Sequence, residues 1–163
     1  MPASSAICVV AGALYDRDGR ILIAQRPAGK ALAGRWEFPG GKLRDGEDPF
    51  AGLARELREE LGVEARAAIP LMRYPVESPD RVIWLDMWIV TEWSGEPRGL
   101  DGQALKWVEP ASLAAEDILE ADQPIVDALM RMPSPRPSPS PRPLTRPAAT
   151  LSRSGGRGQG EGS

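Results

Sequence analysis

The chain has 163 residues, of which 42% are hydrophobic and 26% charged, so it is long enough for one domain with a sizeable core. It contains no histidine and a single cysteine, which excludes histidine-based nucleophilic catalysis and histidine-ligated metal sites. The net charge of −3 is uneven, because residues 133–163 hold five arginines and one glutamate, and the acidic remainder, at −7, is a poor candidate for a nucleic-acid scaffold.

The first part of the chain predicts two strands joined by a turn. Residues 7–14 (ICVVAGAL) are typical of a buried strand, and residues 20–25 (RILIAQ) alternate like a returning strand. Cys8 lies in the apolar run, which favours a reduced core residue over a nucleophile. Arg26 follows the second strand and is either a surface charge or a bidentate contact for phosphate. A loop rich in glycine and alanine comes next, at residues 27–35.

A glycine-rich loop and an amphipathic helix follow within residues 41–63 (GKLRDGEDPFAGLARELREELGV). Asp48 suits the N-cap position, Pro49 the first helical position and Gly62 a left-handed residue at the end. When the residues are placed about 100° apart around a helix, one face of that helix is apolar. The other face carries one guanidinium and three carboxylates: Arg55, Glu56, Glu59 and Glu60.

The charged face of this helix has two interpretations. It is either a solvated acidic surface with an ion pair between Arg55 and Glu59, or a site for a cation. Three carboxylates crowded on one side repel one another, whereas a merely solvated face more usually alternates its charges. A hard divalent cation such as Mg²⁺, which takes oxygen ligands and bridges them to phosphates, would explain the crowding.

The second half of the chain predicts three further strands and two helical segments. The strands cover residues 65–74, 81–93 and 104–108, with a turn-rich loop between the last two. The helical segments cover residues 112–119 and 123–132. Strands on both sides of one amphipathic helix, with another helix at the end, predict a mixed α/β domain.

Residues 133–163 change character, since they are first rich in proline, serine and arginine and then in glycine. Such a composition favours a disordered tail, with a proline-rich ligand or the remnant of a lost domain as alternatives. The sequence has no signal peptide and no apolar run of about 18 residues, so we expect a cytoplasmic protein that does not bind membranes. No feature of the sequence indicates an oligomeric state, so we expect a monomer.

The acidic helix and its loop resemble a complete Nudix box. Gly41 is followed after five residues by Glu47, and after seven more by residues 55–63 (RELREELGV). The resemblance to Nudix hydrolases implies a mixed β-sheet packed between α-helices over about residues 1–132. Five other segments resemble the MutT-type 8-oxo-dGTP diphosphatases: residues 36–42 (WEFPGGK), 79–81 (PDR), 95–97 (GEP), 102–103 (GQ) and 121–124 (ADQP).

This resemblance implies Mg²⁺-dependent hydrolysis of 8-oxo-dGTP and related oxidised purine nucleotides to a monophosphate and pyrophosphate, with Mn²⁺ as a substitute ion. A pyrophosphohydrolase for CTP or dCTP, or one of broad range, is the alternative. The implied metal ligands are the Gly40 carbonyl, Glu56, Glu59, Glu60 and Asp101. Glu56 is the expected base, ligand or both, Arg55 orients the glutamates, and Glu47 anchors the loop. The implied substrate contacts are Arg26, Phe38, Lys42, Arg81 and Asp122, and for Lys42 an ordinary surface charge is the equal alternative.

Asp122 departs from the pattern, because MutT has an asparagine there. An amide donates to O6 of 8-oxoguanine and accepts from its N7–H, whereas an ionised carboxylate only accepts. If the base is 8-oxoguanine, either Asp122 is protonated in a dry pocket or a backbone N–H supplies the missing donor. Alternatively, Asp122 accepts from an amino group such as cytosine N4, or it merely caps the last helix. Two other classes stay open: a binding module without turnover, and a pyrophosphatase for nucleotide sugars or dinucleotides.

Overall fold

The computed structural model describes residues 6–133, which form both strands and helices, as predicted. The elements within this range are β1 Ala6–Leu14, β2 Ile21–Gln25, β3 Trp36–Glu37, β4 Gly40–Lys42, α1 Pro49–Leu61, β5 Glu64–Glu77, β6 Val82–Ser94, β7 Leu105–Val108 and α2 Gln123–Arg131. The predicted mixed α/β class is confirmed. No helix in the described range is both long and apolar enough to cross a membrane.

The strands form two sheets. A four-stranded sheet has the order β4-β1-β6-β5, and a three-stranded antiparallel sheet has the order β3-β2-β7. In the larger sheet β1 runs parallel to β6, while its pairing with β4 is antiparallel and places Gly41 opposite Val10. The short strand β4 therefore brings the start of the glycine-rich loop to the edge of β1.

The four-stranded sheet carries a hydrophobic core on each face. One core joins α1 to both sheets through Val10, Leu14, Leu22, Leu53, Leu57, Leu61 and Val90. The other core joins α2 to the opposite face through Leu85, Met87, Ile89, Ile125, Val126 and Leu129. The first helix approaches β1 closely at Gly12, where a Cβ atom would lie 3.0 Å from Val90 and 3.3 Å from Leu53. A residue without a side chain thus allows α1 to pack directly onto the sheet.

Both ends of α1 have the caps that the sequence predicts. The Asp48 carboxylate accepts a hydrogen bond of 3.0 Å from the Ala51 N–H, and Pro49 occupies the first helical position. Gly62 has a φ of 73° and donates its N–H to the Arg58 carbonyl at 3.0 Å. The caps fix where the charged face begins and ends, and hence which carboxylates it contains.

The prediction of a helix over residues 112–119 is wrong in part. A 3-10 helix spans Pro110–Ala115, after which the chain runs alongside β3. The Trp36 N–H donates to the Asp117 carbonyl and the Leu119 N–H donates to the Trp36 carbonyl, both at 2.9 Å. These bonds to a distant strand replace those that a helix would make within itself. The predicted tail lies, apart from Pro133, outside the described residues.

Candidate active site

Arg55 holds the glycine-rich loop against α1. Its Nε and Nη2 donate to the two Glu47 carboxylate oxygens, both at 2.8 Å, and its Nη2 also donates to the Lys42 carbonyl at 3.2 Å. The hydrogen bond from Arg55, followed by one from the Arg44 N–H, lowers the pKa of Glu47 to about 2. Glu47 is therefore ionised throughout the neutral range and anchors the loop.

The Glu56 carboxylate is held between Arg55 and β4. Arg55 Nη1 donates to Glu56 Oε2 at 2.9 Å, and the Glu56 side chain is 14% exposed. On the other side it packs on Gly41, where an added Cβ atom would overlap the carboxylate. A charged partner and a close backbone contact thus fix the position of this carboxylate.

Glu60 lies in a strongly negative environment. The pKa of its carboxyl is raised to about 8, chiefly by burial and then by the negative charge of Glu56, against a backbone hydrogen bond from Gly40. Smaller contributions in the same direction come from Glu37 and Asp101. Three carboxyl groups, on α1, β3 and the loop before β7, are therefore close enough to Glu60 to repel its charge.

Glu59 differs from its two neighbours on the helix. Its side chain is 53% exposed, and it pairs with Arg55 at 3.4 Å and with Arg44 at 3.9 Å. Between residues 6 and 133, no three acidic or cysteine side chains converge as a preformed metal site. Carboxylate and carbonyl oxygens nevertheless suit a hard cation, and Mg²⁺ is usually held by one or two carboxylates together with substrate phosphates. The donor set thus fits a cation that arrives with a nucleotide.

The three basic residues predicted to contact the substrate lie at the ends of different strands. Arg26 Nη1 pairs with Glu37 at 2.9 Å and its Nε donates to the Ala31 carbonyl at 2.7 Å. Arg26 also lines a cleft of about 420 Å³ together with residues of the loops 27–34 and 102–104. Lys42 and Arg81 are exposed, at the end of β4 and just before β6.

Asp122 and Phe38 meet in the interior, although 84 residues separate them in sequence. The Phe38 N–H donates to Asp122 Oδ2 at 3.3 Å, and the two residues are 4% and 7% exposed. Among the described residues, Asp122 makes no capping bond to α2, so the interpretation as a helix cap is wrong. The pKa of its carboxyl is raised to about 7, chiefly by burial and also by the negative charge of Glu37, against the Phe38 hydrogen bond and the positive charge of Arg26.

Comparison with known proteins identifies the family. A family model described as the NUDIX domain matches residues 7–129. The chain belongs to this family. The predicted Nudix box and Nudix fold are therefore confirmed.

Relatives of this Nudix chain carry two different names. The CTP pyrophosphohydrolase of Escherichia coli (strain K12) is 40% identical over 127 residues, covering 78% of this chain and 94% of that protein. The 8-oxo-dGTP diphosphatase of the same organism is 36% identical over 124 residues, covering 76% and 96%. The solution structure of the E. coli ORF135 protein matches with a TM-score of 0.72 at 39% identity, covering 80% of this chain and 94% of that one.

Three residues of this Nudix site have roles that reasoning from the sequence missed. Glu37 pairs with Arg26 and raises the pKa values of both Glu60 and Asp122. The Tyr74 hydroxyl donates to the Ala121 carbonyl at 2.6 Å, next to Asp122. Gln103 contacts the main chain of Glu60. Only Glu37 and Gln103 lie in segments that resemble MutT, and their contacts depend on the fold.

Proposed function

We propose that this protein is a Mg²⁺-dependent nucleoside triphosphate diphosphatase that hydrolyses 8-oxo-dGTP and related oxidised purine nucleotides, and so removes them from the nucleotide pool. The observation that carries the choice of base is the buried Asp122 carboxyl beside the Phe38 N–H. The similarity to the E. coli 8-oxo-dGTP diphosphatase supports the same substrate. A cytoplasmic location and a division at about residue 132 stay predictions from the sequence.

The chain's own residues supply the parts of a hydrolytic reaction. Glu56, oriented by Arg55 at 2.9 Å, accepts the proton of the attacking water. The water oxygen forms a bond to phosphorus as the bridging P–O bond breaks, which releases a monophosphate and pyrophosphate. Lys42 and Arg81, both exposed, are available to contact the phosphates and the base.

The proposed activity requires a divalent cation next to Glu56. The Gly40 carbonyl, Glu56, Glu59, Glu60 and Asp101 would hold it, with Glu59 turning away from Arg55. A bound Mg²⁺ would lower the pKa of a coordinated water and neutralise charge on the phosphates, and Mn²⁺ can replace it. Activity should be lost in EDTA, return with Mg²⁺ or Mn²⁺, and survive a chelator selective for zinc. Full turnover in EDTA would contradict the proposal.

Asp122 has one oxygen available for reading the base. Oδ2 accepts the Phe38 N–H, while Oδ1 accepts no hydrogen bond from any described residue. Because burial raises the pKa of this carboxyl to about 7, a large protonated fraction exists at neutral pH. A protonated acid donates to O6 of 8-oxoguanine, as an amide would, which removes the main objection to an aspartate at this position.

A second candidate function is hydrolysis of cytidine triphosphates. Ionised Asp122 can accept a hydrogen bond from an amino group such as cytosine N4, which is a donor. The similarity to the E. coli CTP pyrophosphohydrolase favours the same candidate. The two candidates thus depend on opposite protonation states of one carboxyl.

The deciding experiment is a measurement of kcat/KM for 8-oxo-dGTP, dGTP, dCTP and CTP, with the released pyrophosphate identified. We expect 8-oxo-dGTP to exceed dGTP, and Asp122→Asn to widen that margin because an amide always carries a donor. Asp127→Asn on the exposed face of α2 is the matched control. If dCTP or CTP exceeds 8-oxo-dGTP, the second candidate is correct. If Asp122→Asn changes no substrate ratio, Asp122 does not read the base.

A further inference from the structure

The loop before β7 is fastened to the last turn of α1. The final carbonyls of a helix have no partner within the helix, and here the loop supplies them. The Arg98 N–H donates to the Leu61 carbonyl and the Leu100 N–H donates to the Glu60 carbonyl, both at 3.0 Å. Because Glu60 carries one of the carboxylates of the site, the loop is attached directly to a residue of the site.

Gln103 connects the two sides of this attachment through its side-chain amide. Its Oε1 accepts the Asp101 N–H at 2.9 Å, and its Nε2 donates to the Glu60 carbonyl at 3.3 Å. Gly99 packs so closely that a Cβ atom there would overlap the Gln103 carbonyl and lie 3.1 Å from Oε1. An amide has both the acceptor and the donor that these two backbone groups require, and a carboxylate has only acceptors.

The carboxylates of Asp101 and Glu60, on either side of this amide, repel each other. Asp101 is exposed on the loop, Glu60 is half-buried on the helix, and the Asp101 charge contributes to the raised pKa of Glu60. Two repelling carboxylates stay close only if the backbone that carries them is held in place. The bonds to Gln103 provide such a restraint at both carboxylates.

We propose that Gln103 is a positioning residue for the divalent cation: it holds Asp101 opposite Glu60, so that cation affinity depends on an amide bonded to two backbone groups. The inference rests on the metal-dependent activity proposed above. Groups that orient metal ligands without touching the metal often contribute strongly to affinity. Gln103 also lines the cleft beside Arg26, so direct contact with the substrate is the competing interpretation.

The test is a titration of the full chain with Mn²⁺, followed by the electron paramagnetic resonance signal of the free ion. Gln103→Met removes both hydrogen bonds at similar length, and we expect the Kd for Mn²⁺ to rise roughly tenfold. Gln123→Met is the matched control, since Gln123 also donates to a backbone carbonyl, that of Ile118 at 3.1 Å, but at the start of α2. Its Kd should equal that of the wild type.

A double mutant separates positioning through Asp101 from a general loss of structure. Asp101→Asn should weaken Mn²⁺ binding by itself, and adding Gln103→Met should weaken it further by clearly less than the single effect of Gln103→Met, because only the bond from Gln103 to the Glu60 carbonyl remains to be lost. If the two single effects on the Kd for Mn²⁺ multiply in the double mutant, the proposal is overturned. It is also overturned if Gln103→Met raises the substrate KM at saturating Mn²⁺ while the Kd for the ion is unchanged.

A second variant keeps the test valid if Gln103→Met does not fold. Gln103→Glu has the same size and keeps the acceptor for the Asp101 N–H, but lacks the donor to Glu60, so its Kd should also rise. Wild-type affinity in each Gln103 variant that folds would overturn the role of Gln103 and leave the proposed hydrolysis intact. A wild-type protein that binds no Mn²⁺ would overturn both.

Discussion

At the scale of single residues, three glutamates within two turns of one helix meet three different environments. Glu56 is fixed by Arg55 and Gly41, Glu59 is 53% exposed, and Glu60 is half-buried with its pKa raised to about 8. The same carboxyl group thus has one position suited to accept a proton and others suited to hold a cation. Substitution of each glutamate should therefore have its own consequence.

The first prediction concerns Glu56 and Glu59. Replacing either by glutamine keeps the shape of the side chain but removes the charge, so we expect kcat to fall by about two to four orders of magnitude. Circular dichroism should show an intact fold for both variants, and for Glu56→Gln the weaker repulsion of Glu60 should raise the melting temperature without metal. Glu92→Gln, exposed on β6, is the control and should keep its kcat. A variant with near-normal kcat would show that its carboxylate has no catalytic role.

The second prediction concerns the pH dependence of stability. The Asp122 carboxyl has a pKa of about 7 in the folded protein, against an ordinary value of 3.8, because of burial and the negative charge of Glu37. The Phe38 N–H and Arg26 oppose this rise, and the Tyr74 hydroxyl lies nearby. The folded state holds the proton more tightly than the unfolded chain. The resulting stability is therefore fully present below pH 3.8 and is lost as the pH rises through about 7.

The variant that isolates this effect is Asp122→Asn, which cannot titrate. Between pH 4 and 8, the wild-type free energy of unfolding should fall relative to the variant by on the order of 4 kcal/mol. Urea unfolding at several pH values measures this difference, and Asp127→Asn should follow the wild type. A constant difference between wild type and Asp122→Asn across that range would show that the carboxyl is ionised at every pH or equally protonated in both states.

At the scale of elements, the site depends on the contact between β4 and α1. Gly41 lies on the strand directly beneath the Glu56 carboxylate, with no room for a Cβ atom. Its backbone is not in the left-handed region, so an alanine would fit the strand itself. The glycine is thus required by the neighbouring carboxylate and not by the local chain.

The third prediction is that Gly41→Ala reduces activity more than stability. The added methyl group should displace the Glu56 carboxylate from its bond with Arg55, and a displacement of about 1 Å in a catalytic group lowers rates by about a hundredfold. We expect kcat to fall by that order while the melting temperature changes by only a few degrees. Steady-state kinetics and thermal unfolding measure both quantities. An unchanged kcat would show that Glu56 can move freely without loss of function.

The sequence predicted well those elements whose signals are local. The ends of α1 follow from Asp48 and Gly62, and β6 follows from its aromatic and β-branched residues. The weaker pattern of β5 predicted a strand that ends at Tyr74, whereas the observed strand continues to Glu77. The contacts around Asp122 were not predictable, because they join residues far apart in the chain. Phe38 and Asp122 are separated by 84 residues, and Tyr74 and Ala121 by 47.

At the scale of the whole molecule, residues near the end of the described range contact elements from the first part of the chain. The segment before α2 lies along β3, and Asp122 meets Phe38 just after that strand. Helix α2 then closes one core, and Met132 packs against the same core as a half-buried residue. The segment that carries Asp122 is therefore attached on both sides, by the pairing with β3 before it and by the core contacts of α2 after it.

The last prediction is that a chain ending at Met132 keeps the kcat/KM and melting temperature of the full protein. Residues 133–163 are rich in proline, serine, arginine and glycine, a composition that cannot bury a core, and the match to the NUDIX domain ends at residue 129. A chain ending at Asp122 is the control. It lacks Ile125, Val126 and Leu129, each at most 1% exposed and worth about 1.5–3 kcal/mol when buried, so it should not fold. If the chain ending at Met132 unfolds or loses activity, residues beyond it belong to the domain.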